Sequence, residues 1–371
     1  MPMNTKGMSA TVALFLVIYS CSSVGKTTQS TSNKSKGLKD YYKDYFDMGA
    51  GGVSPRMLHG EDSALIVTHF NSLTAGNAMK MGPIHPRENE YFWKDADEIA
   101  AFAQKHGMKL RGHTLCWHQQ APSWMFVDAK GDTVSKQVLL QRLKDHITTV
   151  VSRYKKSVYG WDVVNEAIDD RESEFYRQSA WYRICGEEFI GKAFEYAHAA
   201  DPKAILFYND YNTENPKKRE KIYAMVKKLK ESGIPIHGIG LQGHWSVNNP
   251  SREELDKSVK MFASLGLQVQ VTELDVSVFG GRQGGQIIQG APITTSPFTP
   301  EMEQQQRDKY KMAFEVFREN KSKITAVTFW GVSDRFSWLD ARGRKNYPLL
   351  FDTSRQPKKA YWDVVNFTPQ N

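Results

Sequence analysis

The chain has 371 residues, with 49 Lys and Arg against 41 Asp and Glu, a formal charge of +8, and it is 40% hydrophobic and 24% charged. That composition suits a packed globule and excludes polytopic membrane, collagen-like and low-complexity classes, while the length allows either one large α/β barrel or two to three domains. The positive excess is spread through mixed runs such as KKREKIYAMVKKLKES, which reads as solvated helix faces and argues against a nucleic-acid partner.

Residues 1–20 hold a lone Lys6 and then an apolar run from Val12 to Tyr19. The run is far short of the ~20 residues that span a bilayer and has the length of a signal-peptide core, so export is expected. Ile18-Tyr19-Ser20-Cys21 resembles a bacterial lipobox. Cys21 is then the expected lipidation site, and the expected location is the cell envelope, with the membrane face left open; an ordinary cleavage site beside an incidental cysteine is the alternative. Residues 21–37 are rich in Ser, Thr and Lys and read as a flexible tether, with residues 38–371 left to fold. The spacing of Cys116 and Cys185 does not show that they meet, and two buried, unpaired thiols are expected. No cysteine pair or His-Glu-x-x-His stretch has metal-ligand spacing, so neither a metal nor a cofactor is expected.

From Leu38 onward short apolar runs alternate with amphipathic stretches of helix length, the pattern of a parallel α/β sheet. Eight strands are expected, at 48–53, 64–70, 108–114, 159–165, 204–210, 236–242, 267–273 and 324–330. Between them Leu139, Leu143, Ile147, Val150 and Tyr154 keep helical spacing, as do Tyr310, Ala313, Phe314 and Phe317. The latter helix is announced by Thr299 as N-cap, Pro300 at its first turn and Glu301 and Glu303 at the positive end of its dipole. Eight strand–helix pairs fit a single (β/α)8 TIM barrel. Gly238-Ile239-Gly240-Leu241-Gln242-Gly243 matches G-x-G-x-x-G, but its glycines fall inside a strand and no helix follows, which argues against a dinucleotide site.

A barrel carries its chemistry where the strands exit. The fourth strand ends in Asn165-Glu166 and the seventh in Thr272-Glu273. Two carboxylates on one rim are what retaining glycoside hydrolysis requires, one to protonate the leaving oxygen and one to attack, about 5–5.5 Å apart. Other exits bring His113, Trp117, His118, Gln120 and Trp124, then Gln242, His244 and Trp245, then Trp330 and Trp338. Imidazoles and amides can hydrogen-bond hydroxyls, and indole faces can stack on sugar rings; for any single Trp core packing is the more common role, and five on the loops of one rim are hard to assign to packing alone.

The ordered stretches HFNSLTAGNAMK, GHTLCWHQQAPSW, GWDVVNEA, LFYNDYN, GIGLQGHW, VTELDV and FWGVSDRFSW resemble the strand-end motifs of glycoside hydrolase family 10, the endo-β-1,4-xylanases, over residues 38–371. The resemblance implies Glu166 as general acid/base and Glu273 as nucleophile of a retaining double displacement on internal β-1,4-xylosidic bonds. It implies Asn165 on the 2-hydroxyl of the reacting sugar, and His244 with Asp275 tuning the nucleophile so that it stays ionised while Glu166 stays protonated. Asn77, Lys80, His113, Trp117, Gln120 and Gln242 fall at glycone-side positions, Trp330 and Trp338 close over the sugar, and Tyr211 lies toward the aglycone. The implied partners are xylan and xylo-oligosaccharides, with membrane contact only through the lipid, and the chain is expected to be monomeric. One position departs from the pattern: Gly76 stands where the family usually has a glutamate bonding the glycone sugar. Loss of a charged hydrogen bond of ~1.5–3 kcal/mol would weaken glycone binding without removing the chemistry. Substrate decorations are expected to be sorted by the loop from Gly280 to Pro297. Two rivals remain, a barrel β-glucanase or cellulase and a xylan-binding lipoprotein weakened in catalysis.

Overall fold

The computed structural model describes residues 36–279, 297–342 and 344–368; the expected signal peptide, Cys21, nearly all of the tether and residues 280–296 of the decoration loop lie outside the described residues. Nine strands run in chain order: β1 (Asp47–Val53), β2 (Ser72–Ala75), β3 (Lys109–Trp117), β4 (Val158–Asn165), β5 (Ile205–Asp210), β6 (Gly238–Leu241), β7 (His244–Ser246), β8 (Gln268–Ser277) and β9 (Ile324–Trp330). They pair in parallel in the order β6-β5-β4-β3-β2-β1-β9-β8, and β6 closes the ring on β8, from Gly238 opposite Gln268 to Leu241 opposite Val271. β7 continues β6 past a break at Gln242-Gly243 and pairs His244 with Asp275. The barrel thus has eight staves with helices between them, the expected (β/α)8 fold.

The expected second strand at 64–70 is corrected. ALIVTHF forms the later turns of the helix Gly60–His69, and the stave is the four-residue Ser72–Ala75. A short apolar run does not declare its period. Here Asp62, Leu65 and Ile66 are buried on one helix face, and Glu61 and Asp62 occupy the first turn, where the dipole favours acids. Two strands also run further than expected, β3 to Trp117 and β8 to Ser277, so Glu273 lies within its strand rather than at the end.

The helix Lys136–Tyr154 buries Leu139, Leu143, Ile147, Val150 and Tyr154 as its spacing requires, each aliphatic side chain contributing ~1.5–3 kcal/mol. In the helix Pro300–Glu319 the Thr299 hydroxyl accepts from the Met302 N–H at 3.3 Å, and Tyr310, Ala313, Phe314 and Phe317 face the core. Inside the barrel Arg111 and Asp162 form an ion pair, each 1% exposed. Cys116 and Cys185 are both buried and unpaired.

Candidate active site

One cleft of about 2010 Å3 opens at the strand exits, lined by both Glu166 and Glu273. β4 ends at Asn165, and Glu166 turns the chain off the strand with φ +57°, a left-handed conformation that costs a non-glycine residue ~1–3 kcal/mol and persists only where its surroundings enforce it. Its N–H donates to the Asn209 carbonyl at 2.9 Å. The carboxylate accepts from Gln242 Nε2 (2.9 Å) and Asn165 Nδ2 (3.2 Å) on Oε1, and from Trp117 Nε1 (3.0 Å) on Oε2.

Glu273 has different company. Asn209 Nδ2 donates to its Oε1 at 2.9 Å, and His244 Nε2 lies 3.1 Å from its Oε2. The other ring nitrogen of His244 meets Asp275 Oδ2 at 2.9 Å, and Trp338 Nε1 donates to that same oxygen at 2.7 Å. Burial disfavours the Glu273 charge, but the His244 hydrogen bond, the charges of His113 and His244 and the Asn209 amide outweigh it and hold the carboxyl down to about 2. Burial likewise opposes charge on His244, yet Asp275 and Glu273 together raise it to about 9. At neutral pH an imidazolium therefore bridges two carboxylates, and both of its N–H groups donate. Asp275 does not reach the cleft; it backs His244 from behind.

The walls gather the other residues singled out in the sequence. Lys80, 7% exposed, donates to Asn77 Oδ1 at 3.1 Å and sits 4.9 Å from the Trp117 ring centre. Its burial lowers its pKa, against the pull of Glu273 and Glu166. Gln120 approaches the same Asn77 oxygen at 3.5 Å. His113 is fixed by Asp162, 2.9 Å from its Nδ1, and its ring stands edge-on to Trp330. Trp330 and Trp338 also line the cleft, as does Tyr211. Tyr211 donates to Asp170, accepts from Arg177 at 2.8 Å and lies under Lys218.

The family model described as glycosyl hydrolase family 10 matches residues 37–367. The chain belongs to glycosyl hydrolase family 10. It is 49% identical over 337 residues to endo-1,4-beta-xylanase B of Paenibacillus barcinonensis, covering 90% of this chain and 99% of that one. It is 50% identical to a beta-1,4-xylanase of Dictyoglomus thermophilum, covering 89% and 90% respectively. Among solved structures, xylanase XynB from Paenibacillus barcinonensis complexed with a conduramine derivative superposes with a TM-score of 0.84 at 48% identity, covering 90% of this chain and 99% of that one.

Within this family 10 barrel two of the tryptophans grouped with the cleft belong elsewhere. Trp124 donates to the His85 carbonyl at 3.3 Å and packs on Arg142, while Trp245 is 6% exposed against Phe317. Trp124 follows the exit of β3, whereas Trp245 lies within β7 directly after His244, and alternation along the strand turns it away from the cleft that His244 lines. His118 does line the cleft, its Nδ1 3.9 Å from Glu166 Oε2. Sequence reasoning passed over Asn209, the residue that joins the two glutamates. Its amide donates to Asn165 Oδ1 and to Glu273 Oε1, both at 2.9 Å, and its oxygen accepts from Thr272 at 2.7 Å. A Cβ on Gly240 would fall 2.2 Å from that oxygen, so the middle glycine of the false G-x-G-x-x-G makes room for this amide. The signal available was the polar pair Asn209-Asp210 closing an apolar strand. Gly76 also lines the cleft, and a Cβ there would come 2.9 Å from the Gly52 carbonyl; the first strand exit is drawn in against it.

Proposed function

We propose that the protein is a retaining endo-β-1,4-xylanase in which Glu166 is the general acid/base and Glu273 the nucleophile. The observation that supports this best is the contrast between two carboxylates in one cleft. Glu273 is held ionised by an imidazolium and an amide, and Glu166 is surrounded by the uncharged donors of Gln242, Asn165 and Trp117. In the first step Glu273 attacks the anomeric carbon as Glu166 gives its proton to the departing glycosidic oxygen, leaving a glycosyl ester on Glu273. Glu166 then takes a proton from water, whose oxygen displaces Glu273 and restores both groups with the original anomeric configuration. Asn165, whose link through Asn209 to the nucleophile supports the reading, holds the 2-hydroxyl of the reacting sugar in this mechanism. Similarity to xylanases at 49% and 50% identity supports xylan over β-glucan.

Two measurements test the proposal. Glu166→Ala should lower turnover on xylan by ~10²–10⁴-fold, the usual share of general acid/base catalysis, and proton NMR of the first products should show the β-anomer. Release of the α-anomer, or sugar release from carboxymethylcellulose matching that from xylan, would overturn it. We further propose that the enzyme is an exported monomer, cleaved after Ser20 and tethered through lipid on Cys21. The supporting pattern is the apolar core Val12–Tyr19, the lipobox-like ending and the polar segment that follows. Cys21→Ser should move activity from the membrane to the soluble fraction, and unchanged membrane retention would refute the anchor.

A further inference from the structure

We propose that Tyr208 is a positioning residue for Glu166, its hydroxyl pinning the two backbone N–H groups after the acid/base and so holding Glu166 in its left-handed turn. The inference rests on the acid/base assignment above and adds a residue that reaches neither sugar nor cleft.

Tyr208 lies in β5 with no exposed surface. Its oxygen accepts from Ala167 N at 3.0 Å and Ile168 N at 3.2 Å, and its hydrogen goes to Asp210 Oδ2 at 2.5 Å. A phenol has one hydrogen and two lone pairs, so every bonding position of this hydroxyl is used, and two of the three are spent on the peptide bonds that follow Glu166. Burial, reinforced by Asp210, drives its pKa far up, so the hydrogen that orients the group stays on it. Asp210 is itself anchored, its Oδ1 accepting from Lys218 Nζ and from Tyr211 N, both at 2.8 Å.

Two other bonds reach the turn, but they hold Glu166 itself and leave the N–H groups of residues 167 and 168 to Tyr208. The Glu166 N–H is held by the Asn209 carbonyl, and the Glu166 carbonyl accepts from Arg177 Nε, both at 2.9 Å. For an L-residue the left-handed region is unfavourable because Cβ crowds the following carbonyl. Without the grip on residues 167 and 168, Glu166 relaxes toward the right-handed or extended regions, and its carboxyl swings away from Trp117 and Gln242. Glu273 is spared, because its contacts run through Asn209, His244 and Asp275 and share none of these bonds. Loss of Tyr208 should therefore impair proton donation to the leaving oxygen and leave nucleophilic attack intact.

Leaving-group chemistry separates the two. Departure of a sugar alkoxide needs a proton, whereas departure of 2,4-dinitrophenolate does not. For Tyr208→Phe the kcat/KM on xylohexaose should fall by at least ~10-fold, part of the ~10²–10⁴ that a positioned acid supplies, while that on 2,4-dinitrophenyl β-xylobioside stays within about twofold. The ratio of the two rates is independent of the fraction folded, so a merely structural loss lowers both together, and that outcome overturns the proposal. Asp210→Asn, which weakens the acceptor that orients the Tyr208 hydroxyl, should shift the ratio in the same direction and serves if Tyr208→Phe does not fold; an unshifted ratio there overturns the proposal as well. Glu166→Ala calibrates the test. If it loses both substrates equally, the acid/base assignment falls and takes the proposal with it; if it discriminates and Tyr208→Phe does not, the proposal alone is wrong.

Discussion

Replacing His244 by Gln keeps a neutral N–H directed at Glu273 and removes the positive charge between Glu273 and Asp275. In the native protein Glu273 is held from its ordinary 4.5 down to about 2, against the opposing effect of its own burial. At ~1.4 kcal/mol per tenfold, that is ~3 kcal/mol in favour of the ionised nucleophile. The rise of His244 from 6.5 to about 9 reports the same contact from the other side, and the two are not summed. An opposite charge within ~4–6 Å accounts for ~1–3 pKa units, so the variant's acid limb in kcat/KM should move up from about 2 by ~1–3 pH units and cut activity at pH 3, where the parent retains most of its own. The sign follows from the active form being ionised: a depressed pKa extends activity downward in pH, and its loss withdraws it. The assay is kcat/KM on xylohexaose from pH 2 to 8, with circular dichroism at each pH to establish that the fold persists. An acid limb that coincides with the parent's would refute the assigned role of the His244 charge.

Three further outcomes concern stability. His85 and His146 face each other through their Nδ1 atoms at 3.1 Å, and burial lowers them to about 4 and about 3, His146 also feeling His85. Because both stay neutral when folded but titrate near 6.5 when unfolded, stability is complete above pH 6.5 and drains as pH falls toward those values; His85→Gln should shrink the drop in Tm between pH 7 and pH 4.5, and an equal drop would refute it. Lys358 pairs at 2.9 Å with Asp334, whose pKa burial raises to about 6 against the pull of Lys358. Lys358→Met leaves a buried carboxylate unpaired and should cost ~3–5 kcal/mol, read from urea unfolding; a loss under ~1 kcal/mol, as for an exposed pair, would contradict this account. Gly76→Glu places a Cβ 2.9 Å from the Gly52 carbonyl, so the expected result is a lower Tm, by the equivalent of ~1–3 kcal/mol for overpacking, and an unchanged Tm would show that the first strand exit yields.

The barrel and Glu166 were legible because strand exits have a sequence signature: an apolar run ending abruptly in a polar residue, as at Val164-Asn165-Glu166, while Glu273 stands out as a carboxylate interrupting the apolar strand β8 from within. The second stave was not, because Ser72–Ala75 is four residues long while the neighbouring helix carries the longer apolar run. Trp124 and Trp245 misled for different reasons: the backbone of the segment after β3 turns the Trp124 indole away from the cleft, while Trp245 belongs to the short strand β7, where alternation sends it to the core because its neighbour His244 faces the cleft. Asn209 and Tyr208 were invisible as site residues because their work lies in contacts with residues 44 and 40 positions away. Arg111 and Asp162 could have been noticed as opposite charges inside buried strands, which folding tolerates only when they are paired.

Cys116 and Cys185 are free thiols in the interior, and burial drives the Cys116 thiol far above its ordinary pKa and raises that of Cys185 to about 11. A thiol that does not ionise is a poor nucleophile toward disulfides and oxidants. The described barrel therefore folds without an oxidation step, and it should mature equally well in a reducing cytoplasm and in an oxidising exterior. Residues 36–371, produced without the leader in a host cytoplasm, need no disulfide catalyst to give active enzyme, and alkylating reagents should label neither cysteine until the barrel opens.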